Sequence, residues 1–447
     1  MYEKPSKHPT SRILASDSPR SEKYDLIFDL DRDLKFSAKD FNSFYLPDWN
    51  QTVYDGMIVA AAVEFADRAV MRWTSVWRRE FELDIAVHDP DRWNSKTVSI
   101  PLHKALRFLT GDIWKLHFVR RRHAFSFERQ PYLDFKQPTS AILAYSDGMD
   151  SRAVRGILGA KLGKQLVCVR VGGKRRDESQ PFTNIPYHVK TPTVRNKETS
   201  ARNRGFKFAT ISAIASYLTH AERIVIPESG QGSIGPALVT TGHIYPDFRN
   251  HPRFTSIMSD YVSALFEREV VYEYPRLWNT KGETLKTYSG LPGGEDWTTT
   301  ISCWRGNNWS SVEGKHRQCG ACAACMLRRL SVNAAGLSEK SDKYIASDLS
   351  KESFEAALHP RFNRGGRAFT EYAIAGVLHM QHLADMSNEE NEPLLRRHAI
   401  HLAIALKCPV NQTLSNLRTM INRHTIEWNN FLNELGEHSF IWKWARN

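Results

Sequence analysis

The stretch TSAILAYSDGMDSRAVRGIL, residues 139–158, sets the fold that we expect for this chain. Its apolar run at residues 141–145 has the length of a buried strand, and the apolar residues after the turn recur at helical spacing. The turn between them, residues 146–151, consists of small and polar residues. A strand, a tight turn and a helix start can form a phosphate cradle, because backbone N–H groups at a helix N-terminus point towards the anion.

Three side chains of this turn are candidates for holding a phosphorylated ligand. Ser146 and Ser151 offer hydroxyl groups, and Asp150 is a carboxylate of the kind that binds the magnesium accompanying nucleotide phosphates. The alternative is an ordinary strand–turn–helix with a Ser or Asp cap. The motif by itself leaves both interpretations open.

Length and composition favour a multidomain globular protein with anionic partners. The 447 residues exceed one typical domain, and 41% hydrophobic with 25% charged residues can form a substantial core. The net charge of +12 suits nucleotides, RNA or an acidic protein surface, although we expect most basic clusters, such as residues 328–329, to be solvated. No apolar run approaches bilayer length and the polar N-terminus lacks a secretion signal's apolar core, which predicts a cytoplasmic protein with no membrane partner.

The pattern along the chain predicts several regions of different character. Strand-like alternation at residues 24–30, 80–87 and 114–119, with helical spacing at 56–71 and 102–109, indicates a mixed first part. From residue 139 strands and helices alternate, which is typical of a parallel sheet. We therefore predict a flexible arm over 1–23, an α+β domain over 24–135, an α/β parallel-sheet core over 136–340 and a helical region over 341–447.

The predicted parallel sheet limits where chemistry can occur, because ligands of such folds bind at the carboxyl ends of the strands. The strands are predicted at residues 141–145, 165–171, 223–227 and 270–274. The loops that should hold the site are therefore 146–151, 171–176, 228–233 and 276–283. Three amphipathic helices, predicted at 369–384, 393–406 and 413–435, form either a simple appendage or a docking surface for a partner.

The six cysteines are unevenly distributed. Cys168 and Cys408 fall in apolar segments and are predicted to be inert buried thiols. The other four form two consecutive Cys-x-x-Cys steps and one preceding thiol: Cys303, Cys319, Cys322 and Cys325. In a cytosolic protein this spacing indicates a metal site, and four thiolates suit tetrahedral, structural Zn²⁺. An iron–sulfur cluster and a redox dithiol are the alternatives.

Two motifs together resemble a known family. SDGMDS at residues 146–151 resembles the Ser-Gly-Gly-x-Asp-Ser loop of PP-loop ATP pyrophosphatases, with Asp147 where that family usually has glycine. Together with the four-cysteine cluster at residues 303–325, here called the cysteine knuckle, this loop resembles the 7-cyano-7-deazaguanine synthases (QueC-like enzymes). The resemblance is to the extended form found in bacterial anti-phage defence (Qat and type IV CBASS). Three further segments resemble this family in order: SARNRGFKFATISAIA at 200–215, IYPDFRNHPRF at 244–254 and WNTKGETL at 278–285.

The resemblance implies a fold and a reaction. The fold is an adenine nucleotide alpha hydrolase-like core, and the reaction activates the carboxylate of 7-carboxy-7-deazaguanine with ATP before an amine attacks. The amine is ammonia in the biosynthetic enzyme, and the resemblance suggests a partner protein's amine in the defence versions. ATP, Mg²⁺ and Zn²⁺ are the implied cofactors; a 7-deazaguanine and a protein in a defence complex are the implied partners, with RNA or DNA not required.

The resemblance also assigns roles to individual residues. It places Asp150, Lys281 and Arg202 in catalysis, and the four cysteines at zinc. It assigns nucleotide contacts to Ser146, Asp147, Gly148, Met149, Ser151, Val169, Arg170 and Asn203. Two other functions stay open: a PP-loop enzyme that modifies tRNA, which the positive charge would suit, and a scaffold that binds a nucleotide without turnover.

Overall fold

The computed structural model describes residues 10–18, 23–36, 50–72, 78–122, 139–171, 182–185, 187–190, 192–194, 197–242, 246–305 and 310–446. It consists of two parallel sheets with helices, followed by a helical C-terminal region. The α/β class predicted for the core is confirmed. Among the described residues, no helix combines the length and the apolar character required to cross a bilayer.

The first sheet contains four parallel strands in the order β2-β1-β4-β5. Strands β1 to β5 comprise Ser11–Ser16, Leu26–Asp29, Leu34–Phe36, Glu80–Val87 and Ile113–Arg120. Helices α1 to α4 comprise Leu30–Asp33, Gln51–Ala69, Pro90–Asn94 and Lys96–Thr110. The strands predicted near residues 24, 80 and 114 and both predicted helices are present.

Two expectations for this region are wrong. Its sheet is parallel, so the region is α/β and not α+β; described helices connect β2 to β4 and β4 to β5. The predicted flexible arm contains β1, which is one of the two inner strands of the sheet and in which Ile13, Leu14 and Ala15 are buried. Its partner β4 is distant in sequence, with Ser11 opposite Phe81, so local pattern could not reveal the pairing. Residues 1–9 and 19–22 lie outside the described residues.

The second sheet contains five parallel strands in the order β11-β10-β6-β7-β8. Strands β6 to β11 comprise Ala141–Ala144, Leu166–Val171, Phe182–Ile185, Tyr187–Val189, Arg223–Val225 and Val271–Glu273. Helices α5 to α10 comprise Met149–Leu162, Arg204–Thr219, Gly230–Ser233, Gly235–Leu238, Pro252–Phe266 and Lys281–Ser289. The chain moves outward from β6 to β7 and β8, then crosses back to β10 on the other side of β6.

The two sheets share one hydrophobic core. This core includes Phe28 and Phe81 from the first sheet as well as Ile142 and Phe206 from the second region. Helices α2 and α6 approach closely at Gly56, where a Cβ atom would lie 3.4 Å from the Ile214 side chain. Strand β9 also pairs antiparallel with β3, so it links the second region to the first.

The last part of the chain is helical, as predicted. A two-stranded ribbon, β12 (Ser311–Val312) and β13 (Lys315–His316), precedes it. Helices α11 to α16 comprise Ala323–Ala334, Phe354–Ala357, Arg367–Asp385, Glu392–Leu406, Val410–Leu435 and Phe440–Arg446. Short 3₁₀ turns occur at Gly163–Gln165, Gly294–Thr299, Ser341–Lys343 and Glu389–Asn391.

Three single-residue expectations can be compared with the structure. Cys168 is buried as predicted, and this burial raises the pKa of its thiol to about 12. Cys408 is exposed, contrary to prediction, because α14 ends at Leu406 and the chain turns away through Lys407 at a φ of 53°. Arg328, expected to be solvated, is completely buried and forms an ion pair of 2.7 Å with Glu339.

Candidate functional site

The reversal of strand order in the second sheet creates a crevice between β6 and β10. Ligands of open α/β sheets bind outside the carboxyl ends of the strands at such a reversal. Residues 145–151 follow β6, residues 226–233 follow β10, and Lys281 begins the helix that comes after β11. The strand order therefore brings together three of the four loops that the sequence predicted as the site, whereas residues 172–176 of the loop predicted at 171–176 lie outside the described residues.

The turn after β6 is held by its own hydroxyl groups. Ser146 Oγ accepts the backbone N–H of Gly148 at 3.2 Å and lies 2.9 Å from Ser151 Oγ. Gly148 is the N-cap of the 14-residue helix α5 and has no side chain with which to cap it. The first-turn N–H groups of α5 are thus left for a ligand, and an uncapped N-terminus with flanking hydroxyls suits an anion such as phosphate.

Asp147, the departure from the family's glycine, is accommodated in two ways. It is absent from the residues with positive φ, so its backbone does not require the conformational freedom of glycine. Its carboxylate forms an ion pair with Arg170 at the end of β7, which neutralises the added negative charge. Arg170 is therefore placed beside the turn, and the carbonyl of Val169 accepts the backbone N–H of Tyr145 at 2.9 Å.

The centre of the crevice contains a buried ion pair between Asp150 and Lys281. Asp150 is in the first turn of α5 and Lys281 in the first turn of α10. The carboxylate of Glu228, which follows β10, lies close enough to both to affect their charge. It also lies against Gly232, where a Cβ atom would come within 2.3 Å of Glu228 Oε2.

The charges of this cluster shift the pKa values of Glu228 and Lys281. Burial, reinforced by the charge of Asp150, raises the pKa of Glu228 to about 7. Burial alone would lower the pKa of Lys281, but the carboxylates of Asp150 and Glu228 outweigh it and raise that pKa. A carboxyl group that titrates near neutrality beside a permanently charged lysine is typical of sites that transfer protons.

Unsatisfied polar atoms at the crevice fit a bound ligand. Asp150 Oδ1 and the hydroxyl of Ser229 are buried and have no hydrogen-bond partner among the described residues. Buried polar atoms are nearly always paired, so such atoms call for water, an ion or a ligand. An unpaired carboxylate oxygen beside an uncapped helix N-terminus fits Mg²⁺ together with a phosphate, since Mg²⁺ takes one or two carboxylates and fills its other positions with phosphate and water.

Three residues predicted to act at the site, Met149, Arg202 and Asn203, make contacts elsewhere in the structure. Met149 is buried at the start of α5 and packs with Leu285 and Tyr288 of α10, so its side chain belongs to the core. Arg202 donates to the Thr110 carbonyl at 3.5 Å, and the backbone N–H of Asn203 donates to Asp67 at 3.4 Å. These contacts of Arg202 and Asn203 are with the first region.

A cationic residue that the sequence analysis did not single out is Arg249. Its guanidinium donates to both carboxylate oxygens of Asp247, at 2.9 and 2.8 Å, and it lies near Glu228. Gly205 of α6 permits this, because a Cβ atom there would be 3.0 Å from the Arg249 Cα atom. The sequence could have indicated Arg249 as a site residue, because it belongs to the segment quoted at 244–254 and Glu228 is the first residue of a predicted site loop.

The four cysteines form one cluster that could hold zinc. The sulfur atoms of Cys303, Cys319, Cys322 and Cys325 all lie within 4.8 Å of one another, and three of these residues are buried. The Sγ atoms of Cys319 and Cys325 are 3.8 Å apart. A tetrahedral site with Zn–S bonds of about 2.3 Å would place sulfur atoms about 3.8 Å apart. The backbone N–H group of Cys319 donates to the Cys303 sulfur at 3.2 Å, and that of Cys322 donates to the Cys319 sulfur at 3.3 Å.

The cysteine cluster is connected to the turn after β6. The backbone N–H of Ile301 donates to the Asp147 carbonyl at 3.1 Å, and the side chain of Gln318 accepts the N–H groups of Ser302 and Cys303 at 2.8 and 3.2 Å. Arg328 of α11 donates to Thr300 Oγ1 at 2.7 Å. A metal here would fix the segment that supports the turn, without touching the crevice itself.

Comparison with known proteins supports part of this interpretation. Residues 193–336 match the model of a family described as "Queuosine biosynthesis protein QueC". The chain is also 33% identical over 144 residues to a 7-cyano-7-deazaguanine synthase of Methanoregula boonei, a stretch that covers 32% of this chain and 56% of that relative. The chain thus spans about half the length of the curated relative that it matches.

The matched segment contains only part of the site. Glu228, Arg249, Lys281 and the four cysteines lie within residues 193–336, whereas the turn at 146–151 precedes them and α13 to α16 follow them. A QueC-like segment therefore supplies the β10 and β11 side of the crevice and the metal centre. The turn after β6 lies outside the matched segment, so its place in the site is inferred from its geometry alone.

Proposed function

We propose that this protein uses ATP to activate the carboxylate of a 7-deazaguanine, as in a 7-cyano-7-deazaguanine synthase-type reaction. One observation carries the proposal: the Asp150–Lys281 pair, with one carboxylate oxygen unpaired, lies beside the uncapped N-terminus of α5 at the reversal of strand order. The similarity of residues 193–336 to the QueC family supports the substrate class.

The first step forms an acyl-adenylate. A carboxylate oxygen of the substrate attacks the α-phosphorus of ATP, the bond to the oxygen that bridges to the β-phosphate breaks, and pyrophosphate leaves with that electron pair. Ser146, Gly148 and Ser151 would hold the departing pyrophosphate. Lys281 stabilises the negative charge that develops on the phosphate oxygens, because it is fixed and largely removed from water. Asp150 would hold Mg²⁺, which neutralises phosphate charge when bound.

The second step transfers the acyl group to an amine. The amine nitrogen attacks the acyl carbon, AMP leaves with the electrons of the broken C–O bond, and the nitrogen gives up a proton. Glu228 suits the base in this step, since its pKa is raised to about 7 by burial and by Asp150. With ammonia the product is an amide. A second ATP can convert it to a nitrile: the amide oxygen attacks the α-phosphorus and pyrophosphate leaves, then AMP leaves with the electrons of the C–O bond while the nitrogen loses both protons.

Zinc would have a structural role in this scheme. The four cysteines would hold the metal through four thiolates, which would leave no coordination position for substrate. Their contacts with the segment at residues 300–303 connect the metal to the Asp147 carbonyl. The chain's own residues around the knuckle thereby hold the phosphate-binding turn in place.

A partner protein's amine is a second candidate acceptor. It is favoured by the extent of the chain outside the matched segment, residues 1–192 and 337–447. An anti-phage role, like the protein acceptor, rests on the resemblance of the extended architecture. A tRNA acceptor is suggested by the net charge of +12, and it predicts RNA retention that weakens steeply with salt.

The test is mass spectrometry of reactions that contain the protein, ATP, Mg²⁺, 7-carboxy-7-deazaguanine and ammonia. We expect AMP, pyrophosphate and an amide or nitrile product. Lys281→Met should abolish AMP formation, whereas Lys286→Met, which removes an exposed lysine from the same helix, should leave it unchanged. If the wild-type protein forms no AMP with ammonia, a candidate partner or tRNA, the proposal is wrong and a nucleotide-binding scaffold is favoured.

A further inference from the structure

Helix α15 of the C-terminal region contacts the segment that leads into Lys281. Arg423 Nη1 donates to Glu283 at 3.3 Å, and Thr280 Oγ1 donates to Glu427 at 2.5 Å. Thr280 is the N-cap of α10 and forms a capping box with Glu283. One face of α15 therefore lies against the N-terminus of the helix whose first residue is Lys281, although α15 lies outside the matched segment.

A chain of buried hydrogen bonds connects α15 to Lys281 itself. His424 of α15 lies 2.8 Å from the Met380 carbonyl through Nε2 and 2.8 Å from Gln231 Nε2 through Nδ1. Gln231 Oε1 accepts the backbone N–H of Lys281 at 2.7 Å. The Lys281 ammonium then pairs with Asp150. His424 and Gln231 are almost completely buried.

The roles of these atoms are fixed by their partners. The Met380 carbonyl can only accept, so His424 Nε2 carries the proton and Nδ1 is the acceptor for Gln231. The Lys281 N–H can only donate, which orients the Gln231 amide with its oxygen towards Lys281. The Gln231 amide nitrogen also donates to Glu427 at 3.3 Å. Each member of the chain thereby restricts the next.

Two glycines allow this close approach. At Gly230 a Cβ atom would lie 2.3 Å from the Leu277 carbonyl oxygen and 2.9 Å from Met420 of α15. At Gly282 it would lie 2.8 Å from the Cβ atom of Ala334 and 3.0 Å from Glu427. The loop after β10 and the start of α10 are thus packed against α15 without room for a side chain.

We propose that Gln231, held by His424 and Glu427 of α15, is a positioning residue that sets the place of Lys281, so that the C-terminal helical region is a working part of the site. The inference rests on the proposed function, since it assigns a task to residues around the same lysine. None of these residues needs to touch the substrate. Their effect is on the geometry of Lys281, and misplacement of a catalytic group by about 1 Å can cost about 10²-fold in rate.

The test compares variants of two buried hydrogen bonds between the same helices, α13 and α15. His424→Leu breaks the chain to Gln231, whereas the control Gln381→Leu breaks the 2.8 Å bond from Trp428 Nε1 to Gln381, which has no connection to Lys281 among the described contacts. His424→Gln retains an acceptor and a donor and should restore function. Gln231→Met keeps volume and gives a second test if His424→Leu does not fold.

Two readouts separate a positioning role from a structural one. In the AMP-forming assay, His424→Leu and Gln231→Met should lower kcat by about 10- to 100-fold with KM for ATP changed less than about threefold, because a misplaced group loses transition-state stabilisation. Gln381→Leu should match His424→Leu in thermal unfolding but retain kcat. Equal loss of kcat in His424→Leu and Gln381→Leu would overturn the proposal.

The second readout does not depend on activity. The rate at which acetic anhydride modifies Lys281 is measured by peptide mass spectrometry, with exposed Lys286 of the same helix as the internal standard. We expect slow modification in the wild type and Gln381→Leu, and faster modification in His424→Leu and Gln231→Met. If the wild type forms no AMP but these rates differ, the reaction is wrong while the positioning stands. Unchanged rates would refute the positioning whatever the reaction.

Discussion

The two parallel sheets reverse their strand order in the same way, yet their crevices differ. In the first sheet the reversal lies between β1 and β4, where His88 follows β4. There, Asp55 accepts the His88 ring nitrogen at 2.6 Å through Oδ1 and the His88 backbone N–H at 2.9 Å through Oδ2. In the second sheet, Asp150 pairs with Lys281 through one oxygen and leaves the other unpaired.

The two buried carboxylates differ in whether both of their oxygens are hydrogen-bonded within the protein. Both oxygens of Asp55 are used within the protein, so this carboxylate stabilises the fold. Asp150 has an unsatisfied oxygen next to an uncapped helix N-terminus, which is costly unless a ligand completes it. The same topology therefore serves as a closed structural junction in one sheet and as a candidate binding site in the other.

The largest expected effect tests this contrast directly. Asp150→Ala should reduce pyrophosphate release by about 10³-fold or more, because it removes the proposed Mg²⁺ ligand and leaves Lys281 without its partner. The fold should remain intact. Pyrophosphate release and thermal unfolding are measured together.

Asp55→Ala is the matched change in the other crevice. It should lower stability by about 1–3 kcal/mol by removing the acceptor of two His88 hydrogen bonds, with pyrophosphate release per folded molecule unchanged. Wild-type release in Asp150→Ala, or loss of release in folded Asp55→Ala, would contradict the assignment of the two crevices.

Removal of the metal should have the next largest effect. We expect one zinc per chain by elemental analysis, and Cys322→Ser should lower metal content and the thermal unfolding temperature, because a thiolate ligand is lost. The unpaired Cys168 offers a control, since Cys168→Ser lies outside the cluster and should keep the zinc. Iron with acid-labile sulfide in place of zinc would establish an iron–sulfur cluster instead.

Glu228 gives a pH-dependent prediction of intermediate size. Its pKa is raised to about 7, above the ordinary value of 4.5, so the folded protein holds this proton more tightly than the unfolded chain. The stability that the bound proton gives the folded protein is fully present below pH 4.5 and is lost as the pH rises through about 7. Glu228→Gln should therefore unfold at the wild-type temperature at low pH and a few degrees higher at alkaline pH, since 1 kcal/mol corresponds to about 2–4 °C in a domain of ordinary size.

The same substitution should also change the pH profile of amine transfer. In the wild type the rate should rise as the pH increases through about 7, because Glu228 then becomes available as a base. Glu228→Gln should be slow and lack this rise. A difference in unfolding temperature that does not vary with pH would show that Glu228 is not the titrating group.

The smallest expected effect concerns the turn itself. Arg170→Met should weaken ATP binding by about two- to fivefold, because it leaves the half-exposed Asp147 carboxylate unneutralised near the phosphates. Asp147→Gly in that background should restore the affinity. Isothermal titration calorimetry measures the ATP affinity of both variants. If the double variant binds ATP as weakly as Arg170→Met, Arg170 does not compensate for the charge of Asp147.

The sequence predicted the parts of the site that depend on local pattern. The strand predicted at residues 141–145 and observed over Ala141–Ala144, the helix after the turn and the metal-binding character of the CGACAAC segment all follow from neighbouring residues. It did not predict β1, the parallel first sheet or the placement of Arg202 beside Thr110. Each of these depends on segments that are far apart along the chain.

Helix periodicity, turn composition and the spacing of cysteines were determined by the sequence itself, because they arise from contacts within a few residues. Tertiary structure alone decided which polar groups meet at the crevice. Gln231 and His424 are 193 positions apart, and Asp150 and Lys281 are 131 positions apart. Such contacts form only when the order of the strands and the packing of α15 bring distant loops together, and no local pattern encodes that arrangement.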